Sequence, residues 1–272
     1  MTPDWLEIRQ GDAPLVVNFP HTGTDLPPEI EPRLISPWLA RKDADWWVDR
    51  LYGFAADLGA TTVRTRMSRS VIDVNRDPSG ASLYPGQATT ELCPTTTFDG
   101  ELLWRQGEAP DAAEIARRRE TWFAPYHAAL EGELQRLRAR HPKVALYDAH
   151  SIRSVVPRLF EGELPNFNLG DNSGVSCDPA LTRAIEALCD ASPFSRVTDG
   201  RFKGGWITRR YGRPAEGVHA IQMELACRGY MDDPAVPPTP ETWPAAYSDA
   251  RAAPMRAVLT DVLEACLAFA RT

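Results

Sequence analysis

The sequence predicts a layered α/β protein, and three observations carry that prediction. Short apolar, β-branched runs at residues 14–19, 143–148 and 219–226 read as strands. Segments with apolar residues at helical spacing alternate with them at residues 45–58, 115–137, 179–189 and 255–269, an order that packs helices onto a sheet. The chain has 272 residues, 43% hydrophobic and 25% charged, enough for a substantial core without disulfides or a structural metal. One domain over residues 1–272 is expected.

The first strand, 14–19, stops at Pro20-His21-Thr22-Gly23 and leaves His21 just past its end. Residues 45–58 repeat Val48, Leu51, Phe54 or Ala55, and Leu58, with Gly59 as a stop, so Asp45 is expected in the first turn of a helix. The alternation over 61–76 is imperfect, and Val71-Ile72-Asp73-Val74-Asn75-Arg76 reads as a strand ending in polar residues. Residues 77–100 are rich in Pro, Gly and Thr and aperiodic; a loop that long serves as a lid or a substrate loop. Ile115, Trp122, Tyr126, Leu130, Leu134 and Leu137 mark an amphipathic helix, kinked at Pro125 and ended by His141-Pro142. The strand at 143–148 runs into Ala149-His150-Ser151. Then follow a polar segment at 166–177, the helix at 179–189, a loop with Gly200, Gly204 and Gly205, and the strand at 219–226. A Pro-rich connector, 234–244, leads to a last helix marked by Met255, Leu259, Val262, Cys266 and Phe269. No internal repeat, heptad seam or phosphate-binding loop is present.

Thirty Lys and Arg against 37 Asp and Glu give a net charge of −7, which provides no global positive field for a phosphate backbone and argues against nucleic acid. The start, Met1-Thr2-Pro3-Asp4-Trp5, lacks the basic and apolar regions of a signal peptide, and no apolar run approaches the roughly 18–20 residues of a membrane span. A cytoplasmic protein is expected. Cys93, Cys177, Cys189, Cys227 and Cys266 are odd in number and widely spaced, and read as reduced, buried residues. The partner class left is a small molecule, and the last helix carries no signal for an oligomer.

Sites in open α/β sheets form where strands end, so His21 and His150, each placed after a strand, are candidates for one site. A hydrolytic zinc site commonly takes two His and one carboxylate, and Asp45 and Asp25 are both candidates for the third ligand. Asp148, two residues before His150 on the same strand face, suits an orienting partner for an imidazole. Glu224 is the sharper anomaly: Ile221, Met223 and Leu225 share one strand face, so Gln222 and Glu224 share the other. A part-buried carboxylate there suits a general base; the competing reading is a strand with one wet face. Arg69, Asn75-Arg76 and Arg209 offer donor forks for a carboxylate, against the competing reading of surface ion pairs.

These residues sit in blocks that resemble the N-formylglutamate amidohydrolase (deformylase) family of histidine degradation. The blocks are Asn18-Phe19-Pro20-His21-Thr22-Gly23, Asp45-Trp46-Trp47-Val48-Asp49, residues 68–76, Thr90-Glu91-Leu92-Cys93-Pro94-Thr95, Asp148-Ala149-His150-Ser151-Ile152, residues 200–209 and residues 219–225, in order along nearly the whole chain. The resemblance implies a three-layer α/β/α fold with a mixed central sheet, like zinc carboxypeptidases. It also implies a metal, zinc by preference, on His21, His150 and a carboxylate, with Glu224 as base and Asn75-Arg76 on a substrate carboxylate. Carboxypeptidases place a Glu three residues after the first His, where this chain has Thr24, which favours Asp45 as the carboxylate ligand. The activity so implied is metal-dependent hydrolysis of N-formyl-L-glutamate, with Arg69 stabilising the oxyanion or holding a carboxylate, and Arg76 and Arg209 gripping the two carboxylates. The alternatives are deacylation of another N-acyl amino acid and a non-catalytic carboxylate-binding protein on the same scaffold.

Overall fold

The structure, a computed structural model, describes residues 3–233 and 237–272. Met1 and Thr2, and the first three residues of the connector expected at 234–244, lie outside the described residues. Among the described residues seven strands form one mixed sheet: β1 (Leu6–Arg9), β2 (Leu15–Phe19), β3 (Thr61–Thr65), β4 (Val144–Ile152), β5 (Phe167–Gly170), β6 (Arg196–Thr198) and β7 (Val218–Ala226). Their order is β1-β3-β2-β4-β7-β5-β6, with β3, β2, β4 and β7 parallel and with β1 and β5 antiparallel to their inner neighbours. Among the described residues seven α-helices accompany them: α1 (Pro37–Lys42), α2 (Val48–Leu51), α3 (Ala112–Arg118), α4 (Ala124–Arg138), α5 (Pro179–Asp190), α6 (Trp206–Tyr211) and α7 (Asp249–Arg271).

Residue parity in the central strands explains the three layers. On one face Val17, Tyr147 and Met223 join Leu51 of α2, Ile185 of α5 and Leu263 of α7 in one apolar cluster. On the other, Val16, Leu146 and Ala220 join Leu130 of α4 and Ile207 of α6 in a second. Strands covered on both faces lose the alternation of a half-wet sheet, and every residue of β2, β4 and β7 is buried. The second face changes character along its length. Its first rows are apolar, whereas toward the carboxyl ends of the parallel strands it carries Asn18 on β2, Asp148 and His150 on β4, and Gln222 and Glu224 on β7. The register sets His150 beside Glu224 and Asp148 between Asn18 and Gln222. Buried polar side chains thus collect at one end of one face. The five cysteines are all free and buried. Among the described residues no helix is long and apolar enough to cross a membrane.

Several local expectations are corrected. The helix expected over 45–58 is broken into α2 and a 3-10 turn, Gly53–Ala56, and Asp45 precedes α2 because Trp47 adopts a left-handed φ of 66°. Residues 71–75 are buried, yet 71–76 form turns, since Asp73 Oδ1 accepts the Asn75 N–H at 2.9 Å and the Asp73 carbonyl accepts that of Arg76 at 3.2 Å, which competes with strand pairing. β4 runs on through His150, because β7 pairs with it as far as Ile152. The polar segment 166–177 contains β5, and the Gly-rich loop leads into α6. The irregularity expected at Pro125 falls just before it, where the long helix passes through a π-helical stretch, Arg119–Phe123, and Pro125 sits in the first turn of α4. The end strands β1 and β6, only four and three residues long, carry too short a pattern to be read from sequence.

His127 ties α4 to α6 and to the turn at Val74 within one layer. Its Nε2 lies 2.9 Å from the Val74 carbonyl and its Nδ1 2.9 Å from the Tyr211 hydroxyl, with the Tyr211 ring stacked on it. A neutral ring donating from Nε2 and accepting at Nδ1 satisfies both, and burial pushes its pKa down to about 4 from 6.5. Between those values the unfolded chain binds the extra proton, so stability is lost as pH falls through this window. Unfolding midpoints in denaturant should fall more steeply between pH 6.5 and 4 for the wild type than for His127→Gln; parallel curves would show that the ring does not titrate this way.

Candidate active site

Each site residue is held by its own local structure. His21 leaves the end of β2, and its backbone carbonyl accepts the Asp45 N–H at 2.9 Å, which fixes Asp45 opposite the imidazole ahead of α2. His150 projects from the polar end of β4. Asp45 Oδ2 lies 3.1 Å from His150 Nδ1 and 3.7 Å from His21 Nδ1. One ligand atom from each of the three residues falls within 4.8 Å of the others, and all three residues are buried.

The far nitrogens are occupied. His21 Nε2 is 2.6 Å from Asp73 Oδ1, and His150 Nε2 is 3.0 Å from Asp148 Oδ2. A carboxylate at each Nε2 accepts a proton there and turns each Nδ1 toward Asp45. His21 Nδ1 and Asp45 Oδ1 are buried with no hydrogen-bond partner, although buried polar atoms are rarely left so. Two imidazole nitrogens and a carboxylate converging with unsatisfied atoms fit a divalent ion such as zinc. Asp25 lies elsewhere: its side chain is 44% exposed and pairs with Arg66 at 2.9 Å.

Burial, then the Arg69 charge, hold the His21 imidazole below its usual pKa. For His150 burial acts the same way but is overcome by Asp148 and Asp45, which hold the imidazole well above 6.5. Asp73 is buried, yet His21, Arg76 and Arg69 around it keep its carboxyl well below the usual range. Arg69 Nη2 donates to Asp73 Oδ2 at 2.8 Å, Nη1 approaches Asp45 Oδ1 at 3.6 Å, and the guanidinium rests on the Phe98 ring.

Glu224 is 8% exposed, so its face is not the wet face of a one-sided strand. Burial pushes its carboxyl up to about 8, and a cation held nearby would pull it back down. It lines a cleft together with His21, His150, Arg69, Asn75 and Arg76. Asn75 is committed to the frame: its Nδ2 reaches Asp148 Oδ2 at 3.2 Å and its Oδ1 accepts the Ile207 N–H at 2.8 Å. Gly205 makes room for it, since a Cβ there would lie 2.5 Å from the Asn75 amide. Arg76 donates to Thr90 through Nε and Nη2 and faces the cleft.

Arg209 does not reach the cleft lining. Its Nε donates to the Gly204 carbonyl at 3.0 Å and its guanidinium flanks Tyr84. Arg201, eight residues earlier in the same Gly-rich block, lines the cleft instead. Sequence reasoning missed both Arg201 and Asp73. Each stands inside a block that already held a candidate, but no periodicity distinguishes an arginine or aspartate facing a cleft from one facing solvent. Tyr84, Ala88, Thr89 and Thr90 of the aperiodic 77–100 segment also line the cleft, as expected of a substrate loop.

A family model described as N-formylglutamate amidohydrolase matches residues 13–231. Two bacterial relatives named N-formylglutamate deformylase align over almost their whole length. That of Pseudomonas aeruginosa is 47% identical over 267 residues, 98% of this chain and 97% of the relative. That of Pseudomonas putida is 44% identical over 265 residues, 97% and 96% of the two chains. In fold, the chain is similar to the N-formylglutamate amidohydrolase from Ralstonia eutropha JMP134, with a TM-score of 0.77 at 22% identity over 99% of this chain and 98% of that one. A gene product of Agrobacterium tumefaciens gives 0.72 at 17% identity, with 97% and 95% covered.

Proposed function

This chain belongs to the N-formylglutamate amidohydrolase family, and from that premise we propose that it hydrolyses N-formyl-L-glutamate to formate and L-glutamate, as one catalytic domain dependent on a divalent metal and closing a histidine-degradation route. The observation that carries the metal-dependent reading is the buried convergence of His21 Nδ1, His150 Nδ1 and the Asp45 carboxylate, where His21 Nδ1 and Asp45 Oδ1 have no hydrogen-bond partner. Those three residues would hold the ion. When bound, it supplies Lewis acidity, making water acidic near neutral pH and polarising a carbonyl.

The remaining work falls to the chain. Asp73 and Asp148 accept the Nε2 protons and so keep each Nδ1 lone pair directed inward. Glu224 takes a proton from the attacking water as its oxygen bonds to the formyl carbon, and delivers it to the amide nitrogen as the C–N bond breaks. Arg69, already beside Asp45 and Asp73, donates to the oxygen on which negative charge develops. Arg76 binds a substrate carboxylate, and Asn75 keeps Asp148 and His150 in place. Removing bulk water from this buried group strengthens each of these interactions.

Purified protein should release formate from N-formyl-L-glutamate, with kcat/KM at least about tenfold above that for N-acetyl- or N-succinyl-L-glutamate or N-formyl-L-aspartate. Faster cleavage of a larger acyl group would move the assignment to another deacylase. Carboxylate binding without turnover on any of the four, in metal-loaded protein, would favour the non-catalytic reading.

A further inference from the structure

A dicarboxylic substrate needs two cationic grips, and the cleft holds a second one that no sequence pattern singled out. Arg76 and Arg201 both face the cleft. Arg76 lies 3.6 Å from Asp73, the aspartate that holds His21, so it stands close to where the amide reacts. Arg201 approaches from elsewhere. Its Nε donates to the Leu159 carbonyl at 2.8 Å and its Nη2 to the Ala88 carbonyl at 2.7 Å, and the rings of Tyr84 and Phe202 lie against its guanidinium. None of those partners belongs to the His21, Asp45 and His150 group. Among the described residues no carboxylate comes within 4.0 Å of Arg201, although it is part-buried. The main chain therefore holds this cation in position without neutralising it, an arrangement that leaves its charge for a ligand.

We infer that Arg201 is the specificity-determining residue for the side-chain carboxylate of the substrate, with Arg76 taking the α-carboxylate. The assignment rests on the deformylase reading of the same site, and bond counting supports it. The α-carboxylate carbon lies two bonds from the amide nitrogen and suits the arginine beside Asp73. The side-chain carboxylate carbon lies four bonds away and suits the arginine whose neighbours lie outside the metal-capable group. Tyr84 completes the mount: its hydroxyl donates to the Gly204 carbonyl at 2.9 Å, and its ring centre lies 5.4 and 5.2 Å from the guanidinium carbons of Arg201 and Arg209. Arg209 touches this ring and not the cleft.

The test compares N-formyl-L-glutamate with its side-chain amide, N-formyl-L-glutamine, and its α-amide, N-formyl-L-isoglutamine, on the wild type, Arg201→Gln and Arg201→Lys. Arg201→Gln should lower kcat/KM on formylglutamate by about a hundredfold and on formylglutamine by less than about threefold, because the amide never used the charge. Formylisoglutamine keeps the side-chain carboxylate and should fall as formylglutamate does. Arg201→Lys keeps the charge without the fork and should retain part of the preference, while circular dichroism reports folding in each variant. Equal losses on all three substrates would mean that Arg201 only braces Leu159 and Ala88, and would overturn the assignment. A loss that spares formylisoglutamine instead would assign Arg201 to the α-carboxylate and overturn it too. Failure of the metal-loaded wild type to cleave formylglutamate would overturn the deformylase reading and this inference together, a result distinct from either of the others.

Discussion

Glu224→Gln should lower kcat for formate release about a thousandfold, with KM changed less than about threefold and bound metal undiminished. The size follows from what the substitution removes. A positioned general base contributes 10²- to 10⁴-fold, roughly, and a Gln of nearly the same shape cannot accept the proton of the attacking water. The unchanged metal content follows from geometry, because the converging ligand atoms belong to His21, Asp45 and His150 and not to Glu224. The separation of kcat from KM also has a structural reason: the arginines that face the cleft are left intact. Steady-state kinetics with elemental analysis of the same preparation decides the matter. Full turnover in the variant would place the base elsewhere, even with the family assignment intact.

Removing the metal should have a larger effect. Treatment with a chelator should depress formate release by at least about 10³-fold, and stoichiometric zinc should restore it. Without the ion, two imidazoles and a carboxylate remain, with Asp148 and Asp45 holding the His150 imidazole above its usual pKa, and no Lewis acid is left to polarise a formyl carbonyl. His21→Ala and His150→Ala should lose retained zinc outright. Asp73→Asn and Asp148→Asn should weaken zinc binding by about 10- to 100-fold, because each keeps the shape but loses the negative charge that orients an imidazole and raises its basicity. Undiminished activity in protein shown to be metal-free would overturn the metal-dependent reading.

The α/β class and the longer elements were legible because their signals are local. The apolar run of β2, the helical spacing of α4, α5 and α7, and the opposite parity of Met223 and Glu224 are properties of neighbouring residues, and each maps onto an element of the structure. His21, His150, Asp45 and Glu224 could be selected as chemistry-bearing residues for a related reason. Each is a polar residue beside apolar sequence, where an unpaired polar group is costly to bury. Residues 71–76 misled because β-branched composition reports burial as readily as extension, and Asp73 and Ser68 draw the backbone into turns.

What the sequence by itself determined is therefore the set of strands and helices with strong period, the family, and a short list of reactive residues. The resemblance already favoured Asp45 over Asp25, but its convergence with the two histidines, the pairing of each histidine with its own aspartate, and the place of Arg201 rather than Arg209 in the cleft lining come from tertiary structure alone. The physical reason is distance along the chain. Metal coordination, charge pairing and substrate grip depend on separations of a few ångströms between residues as far apart as His21 and His150. Those separations are set by sheet order and strand register, which no local periodicity encodes.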